Sequence, residues 1–244
     1  MTGSAQGEAG GEVPEEPARR EPLLNLPPVV IALIALCVAV HIARTYFLTA
    51  EQDFDLIVRA AFFPARYTGG YELDLYAFTS PVTASFLHSG LAHLVINMVW
   101  LAAFGSPLAN RIGVLRLLMF WIFAALGADL LHFAARPFDI VPMLGASGAI
   151  SGMMGAAARF GFNIDRSARL PVFAGRRLSI LETLTSRQSV IFLGVWLAIN
   201  FAAGAGLDVS GSEGSIAWEA HIGGMLAGFF GIALFDRRAA ALRP

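Results

Sequence analysis

The sequence has no lysine, a single cysteine and little charge of either sign. Each shortage excludes something. With only Cys37, no disulfide forms within the chain, and its place in an apolar run makes it a packing residue rather than a reactive thiol. Charged residues are 14% of the 244, and a net charge of −1 offers no footprint for nucleic acid. Metal-ligand spacing is also missing. His88 and His93 do not form H-E-x-x-H and no cysteine cluster exists, so neither a catalytic metal nor a cofactor is expected. What abounds is apolar surface. The hydrophobic share is 56%, against roughly 45–50% in soluble domains.

A helix needs about 20 mostly apolar residues to cross a bilayer. Six stretches read as spans: Pro28–Leu48, Ser85–Pro107, Gly113–Ala134, Ala146–Phe162, Ser189–Ala205 and Ile216–Phe235. The fold class is therefore an all-α membrane bundle. Residues 1–27, rich in Gly, Glu, Pro and Ala up to Glu21, read as a disordered tail. They are not a secretory signal, because the apolar run begins only after an acidic stretch. Residues 237–244 read as a short second tail.

Arginine sets the orientation. With the N-terminus inside, thirteen arginines fall in inner segments and only Arg59, Arg66 and Arg136 in outer ones. Arg44 lies near the outer end of the first span, placed to snorkel. Both termini are thus expected in the cytoplasm. The long outer loop, about residues 49–84, is too apolar for a solvated loop and is expected to lie on the outer leaflet.

Polar residues inside spans are costly and face a cavity or the bundle interior. His93 and Asn97 stack on one face of the second span, about 8 and 12 residues in. Ser147 opens the fourth span, and His221 lies about 5 residues into the sixth. All four fall in the outer half of the membrane. Gly148, Gly152 and Ala156 repeat every four residues on the fourth helix. His221, Gly224, Gly228 and Gly231 share a face of the sixth. Small residues at this spacing let backbones approach, bringing Ser147 towards His221.

A serine hydroxyl becomes a nucleophile when a base takes its proton, and imidazole is the usual base. The free N–H groups at the start of the fourth helix suit an oxyanion, with His93 and Asn97 as further donors. Gly145 and Gly148, flanking Ala146 and Ser147, leave room for a substrate backbone. No carboxylate completes a triad. Glu219 points away from His221, and Asp129 has His132 as its expected partner three residues on. His41, His132 and Asn200 read as structural, and His88 as a hydrogen-bonding loop residue.

These segments resemble the rhomboid family of intramembrane serine proteases: "HSGLAHLVINM", then "GASG" at Gly145–Gly148, then "AHIGGMLAG" at Ala220–Gly228. The match follows the family's order across residues 28–236. The resemblance implies a six-helix protease domain there, in the bacterial inner membrane. Ser147 would be its nucleophile, His221 its base, His93 and Asn97 its oxyanion donors, and His88 a structural residue. Its partners would be the lipid bilayer and single-pass transmembrane protein substrates. Two of the family's structural features are missing: a Trp-Arg pair in the outer loop, and a glutamate where Ala109 stands. Non-catalytic relatives that bind membrane clients lack the serine or the histidine, and this chain has both. A proton-coupled transporter would need an intramembrane carboxylate chain, which is absent.

A substrate helix must unwind first, because its carbonyls are bonded within the helix. Some element must also open the site to water. The fifth span, short and ending in "AAGAG" (Ala202–Gly206), is the candidate gate.

Overall fold

The computed structural model describes residues 26–166, 170–205 and 217–237. The expected tails, up to residue 25 and from residue 238, lie outside the described residues, as does Gly206 of the AAGAG stretch.

The order is helical almost throughout. α1 (Pro28–Tyr46) starts on a proline, whose fixed φ suits a first turn. The outer loop holds α2 (Ala50–Ala60), opened by a reciprocal Thr49–Gln52 cap, and α3 (Leu75–Thr83). α4 (Leu91–Trp100) runs through a wider π turn, Leu101–Gly105, into α5 (Ser106–Ile112). Gly113, at φ 83°, ends this helix in a conformation that disfavours any side chain. α6 (Val114–Ala135) follows, then α7 (Ser147–Arg159). A small antiparallel hairpin pairs β1 (Ile164–Asp165) with β2 (Val172–Phe173). Short α8 (Ile180–Thr185), α9 (Arg187–Gly204) and α10 (Trp218–Phe235) complete the described helices.

Among the described residues, five helices are long and apolar enough to cross a membrane: α1, the continuous Leu91–Ile112 helix, α6, α9 and α10. They expose Val95, Val99, Leu115, Leu130, Ile191, Val195 and Leu234 outward, a lipid-facing pattern rather than a wetted one. The fourth expected span is shorter than its sequence range of Ala146–Phe162. α7 has 13 residues, because Gly161 and Phe162 take left-handed φ values of 59° and 53° and stop it. It is also the most enclosed helix, with every residue from Gly148 to Arg159 buried.

The second expected span starts later than Ser85. Gly90 is extended and caps the helix at Leu91, and extended Leu87 closes a separate short turn, Ala84–Phe86. His93 is therefore the third residue of its helix and Asn97 the seventh, rather than about the eighth and twelfth.

Glycine decides how α7 and α10 cross. A Cβ on Gly224 would lie 2.0 Å from the Gly148 carbonyl oxygen. One on Gly228 would lie 1.9 Å from that of Gly152. The two backbones touch, as the small-residue spacing predicts. α6 joins them on the same terms, since a Cβ on Gly152 would meet the Ala124 methyl at 2.4 Å.

At the other end of α7, Arg111 is buried against Asp236 through contacts of 3.1 and 3.0 Å. It also donates to the carbonyls of Phe173 and Gly175 and lies over the Phe160 ring. This latch ties the hairpin and the end of α10 to α5, close to where Ala109 stands in place of the family's glutamate.

The outer loop is anchored without a Trp-Arg pair. Arg44 does not snorkel. It binds Asp53 at 2.6 Å and the His88 carbonyl at 2.9 Å, linking α1 to α2 and to the segment before α4. Phe62 and Met143 exchange backbone hydrogen bonds, and Gly145 N–H donates to the Ala84 carbonyl at 3.0 Å. The loop thereby holds the strand-like segment that delivers Ser147.

Candidate active site

Gly145 has φ 130°, a turn that leads directly into α7 and disfavours side chains. Ser147 is the first residue of that helix, with Ala146 as its cap. His221 is the fourth residue of α10. The glycine-mediated crossing brings them together: Ser147 Oγ lies 2.8 Å from His221 Nε2. Both residues are half-buried, whereas Ala146, Gly148 and Asn97 around them are buried.

The other imidazole nitrogen is also engaged. His221 Nδ1 lies 2.7 Å from Asn200 Oδ1, and Asn200 Nδ2 donates to the Trp196 carbonyl at 2.8 Å. Sequence reading set Asn200 aside as structural. The available signal was its place near the outer end of an otherwise apolar span, at the depth of His221.

His93 lies on the opposite side of Ser147. A Cβ on Gly145 would come within 2.9 Å of His93 Nε2 and 3.6 Å of Ser147 Oγ, so the ring covers the glycine beside the hydroxyl. Ser89 Oγ lies 3.0 Å from His93 Nδ1. Asn97, the fourth expected member, is buried directly below. Its amide donates to the His93 carbonyl at 2.9 Å and so supports that turn from within the helix.

Two expected roles change. The His88 ring makes no hydrogen bond among the described residues; it packs edge-on against His93 with centroids 5.1 Å apart. Its contribution is shape, behind the residue nearest the serine. His132 turns to Glu219 rather than to Asp129: Nδ1 lies 3.9 Å from Glu219 Oε2, and Glu219 Oε1 binds Arg136. Arg136, which caps the end of α6, thus holds the Glu219 carboxylate. Asp129 Oδ2 stays buried without a hydrogen-bond partner among the described residues.

A family model described as a rhomboid domain matches residues 77–238, more than half of the chain. The Bacillus subtilis (strain 168) protein named Rhomboid protease GluP is 32% identical over 152 residues, covering 62% of this chain and 25% of that protein. The Arabidopsis thaliana RHOMBOID-like protein 6, mitochondrial, is 29% identical over 61% of this chain and 40% of its own length. The Serratia proteamaculans (strain 568) Rhomboid protease GlpG is 25% identical over 86% of this chain and 63% of its own. The chain thus spans less than two thirds of the length of these relatives. Apolar helices of membrane-crossing length, and a family match over most of them, make this chain an integral membrane protein of the rhomboid family of intramembrane proteases.

Proposed function

We propose that the chain is a serine endopeptidase that cuts transmembrane protein substrates in or beside the membrane through a Ser147–His221 dyad. The observation that carries this is the 2.8 Å contact between Ser147 Oγ and His221 Nε2 at the start of a buried helix. His221 Nε2 accepts the Oγ proton as Oγ bonds to the scissile carbonyl carbon. The oxyanion that forms lies near the first-turn N–H groups of Ser147 and Gly148, which have no helical carbonyl to bond. The Gly145 N–H is already bonded to Ala84, so Gly145 contributes space rather than a donor. The proton then passes from His221 to the leaving amine as the C–N bond breaks, giving an acyl-enzyme. Water attacks the ester, His221 takes its proton, and Ser147 is regenerated as the acid product leaves.

His93 faces the same oxyanion. Ser89 Oγ lies 3.0 Å from Nδ1, and in the tautomer where Nδ1 accepts from it, Nε2 carries the ring's proton beside Gly145. His93→Ala is expected to lower kcat by about 10²–10³-fold, the usual loss for one oxyanion donor. Steady-state kinetics checks this; an unchanged kcat would remove His93 from the site. Asn97 holds the His93 carbonyl, so its loss should act through His93 and be smaller.

In this reading the protease domain covers residues 28–236 and crosses the membrane six times, with α7 as a short span enclosed by the others. The arginine distribution supports cytoplasmic tails, and a bacterial inner membrane with the site on the periplasmic side. The gate is α9. Only Ser189, Asn200 and Ala203 of its residues are buried, so among the described helices of membrane-crossing length it has least to lose by moving. Phe192 on α9 meets the Phe104 ring at a tilt of 56°, with centroids 5.9 Å apart, and links α9 to the segment after α4. Cysteines at positions 104 and 192, cross-linked after Cys37→Ala, should abolish cleavage of a transmembrane substrate, and a reductant-cleavable linker should restore it. Full cleavage by the linked protein would rule out α9 as the gate.

The reading as a whole is tested by reconstituting the chain in liposomes with single-pass reporter substrates and mapping the products by mass spectrometry. One cut within or beside the reporter's membrane segment is expected. Equal cutting of a soluble, unfolded chain would contradict an intramembrane protease.

A further inference from the structure

The base of this dyad has a partner that supplies what a triad's third member supplies. We infer that Asn200 is a positioning residue that fixes the tautomer and orientation of His221, resting on the dyad reading above. Four observations converge. Asn200 Oδ1 lies 2.7 Å from His221 Nδ1. The amide cannot be flipped without loss, because Asn200 Nδ2 donates to the Trp196 carbonyl at 2.8 Å. Asn200 is buried, so bulk water does not compete for the contact. Glu219, the nearest acid on the helix of His221, is held by Arg136 and unavailable for this task.

The consequence is chemical. An amide oxygen only accepts, so Nδ1 must carry the ring's proton. Nε2 is then left with its lone pair facing Ser147 Oγ, the state a general base requires. The other tautomer would place a proton where the serine's proton has to go. A neutral amide does this without burying a charge in an apolar bundle, where a lone carboxylate would be costly. Amides do serve as third members elsewhere, in Cys-His-Asn sites.

Asn200 stands on α9 while His221 stands on α10. The base is therefore set only while α9 lies against α10. Outward movement of α9 would admit substrate with His221 unset, and its return would restore the base. Opening and chemistry are coupled through one hydrogen bond.

The test uses the full chain and two variants: Asn200→Leu, close in volume and without an acceptor, and Asn200→Asp, which keeps one. Kinetics on a reconstituted transmembrane reporter, thermal unfolding in detergent, and nitrogen NMR of labelled histidine are read together. The His221 signal is assigned by its loss in His221→Ala. Asn200→Leu is expected to lower kcat by about 10²-fold, the scale of a misplaced catalytic group, with KM and unfolding temperature near wild type. Its His221 signal should shift from the Nδ1-protonated form to a mixture. Asn200→Asp should recover most of kcat and the Nδ1-protonated signal. Wild-type kcat and an unchanged His221 signal in Asn200→Leu would overturn the inference. So would an equal loss in both variants with the Nδ1 proton retained. Neither result touches the dyad itself, which is tested separately: cleavage that survives in Ser147→Ala would overturn it.

Discussion

Replacing Ser147 by alanine is expected to remove cleavage of every transmembrane substrate, by about 10⁴-fold or more in kcat, while leaving the fold intact. The size follows from the site. Ser147 Oγ is the hydroxyl that meets His221 Nε2, and no second nucleophile shares that contact. Removing one oxygen from a half-buried position creates no large cavity, so unfolding temperature should hardly change. His221→Ala should match it closely, because serine and base act as a unit and their losses do not add. Kinetics of the two single variants and the double variant checks this. A double loss equal to the sum of the singles, in free energy, would mean that they act separately.

The second large effect belongs to a residue with no chemistry. Gly224→Ala is expected to cost about 10²-fold in kcat and to lower stability by about 1–3 kcal/mol. The new methyl would sit 2.0 Å from the Gly148 carbonyl oxygen. That neighbour is backbone, so no side chain can turn aside, and α7 and α10 must separate. Gly224 is one turn after His221, and Gly148 follows Ser147, so the separation opens across the dyad. Gly194→Ala is the control. A Cβ there meets nothing within 4 Å, and helix propensity favours alanine by about 1 kcal/mol. Thermal unfolding and kinetics together read both variants. Wild-type activity in Gly224→Ala would mean that the helices do not touch as described.

Much of this was legible in the sequence because membranes restrict what polar and small residues do. Ser147 Oγ and His221 Nε2 stand 2.8 Å apart, and the Gly148–Gly152 and Gly224–Gly228 faces meet backbone to backbone. Helix ends were less legible. Hydropathy reads Phe86 and Leu87 as span, yet the extended backbone at Leu87 and Gly90 decides where α4 starts. Hydropathy likewise overruns α7, where Gly161 and Phe162 turn left-handed.

Pairings across helices were the least legible. Spacing along one helix suggested Asp129 for His132, but Glu219 comes from α10 and Arg136 from the loop. Arg44, read as snorkelling, instead finds Asp53 on α2. Asn200 escaped for the same reason: no spacing rule connects α9 to α10, and only the packed bundle shows which amide meets which imidazole.

The central claim is that Ser147 is a nucleophile activated by His221. Its most direct test is treatment of the purified, detergent-solubilised chain with a fluorophosphonate, followed by mass-spectrometric mapping of the adduct. The dyad predicts a single phosphonyl group on Ser147 in the wild type, absent from both Ser147→Ala and His221→Ala. A folded wild type that stays unmodified, or an adduct on another serine that survives Ser147→Ala, would contradict it and leave "GASGAISG" as a packing face between two helices.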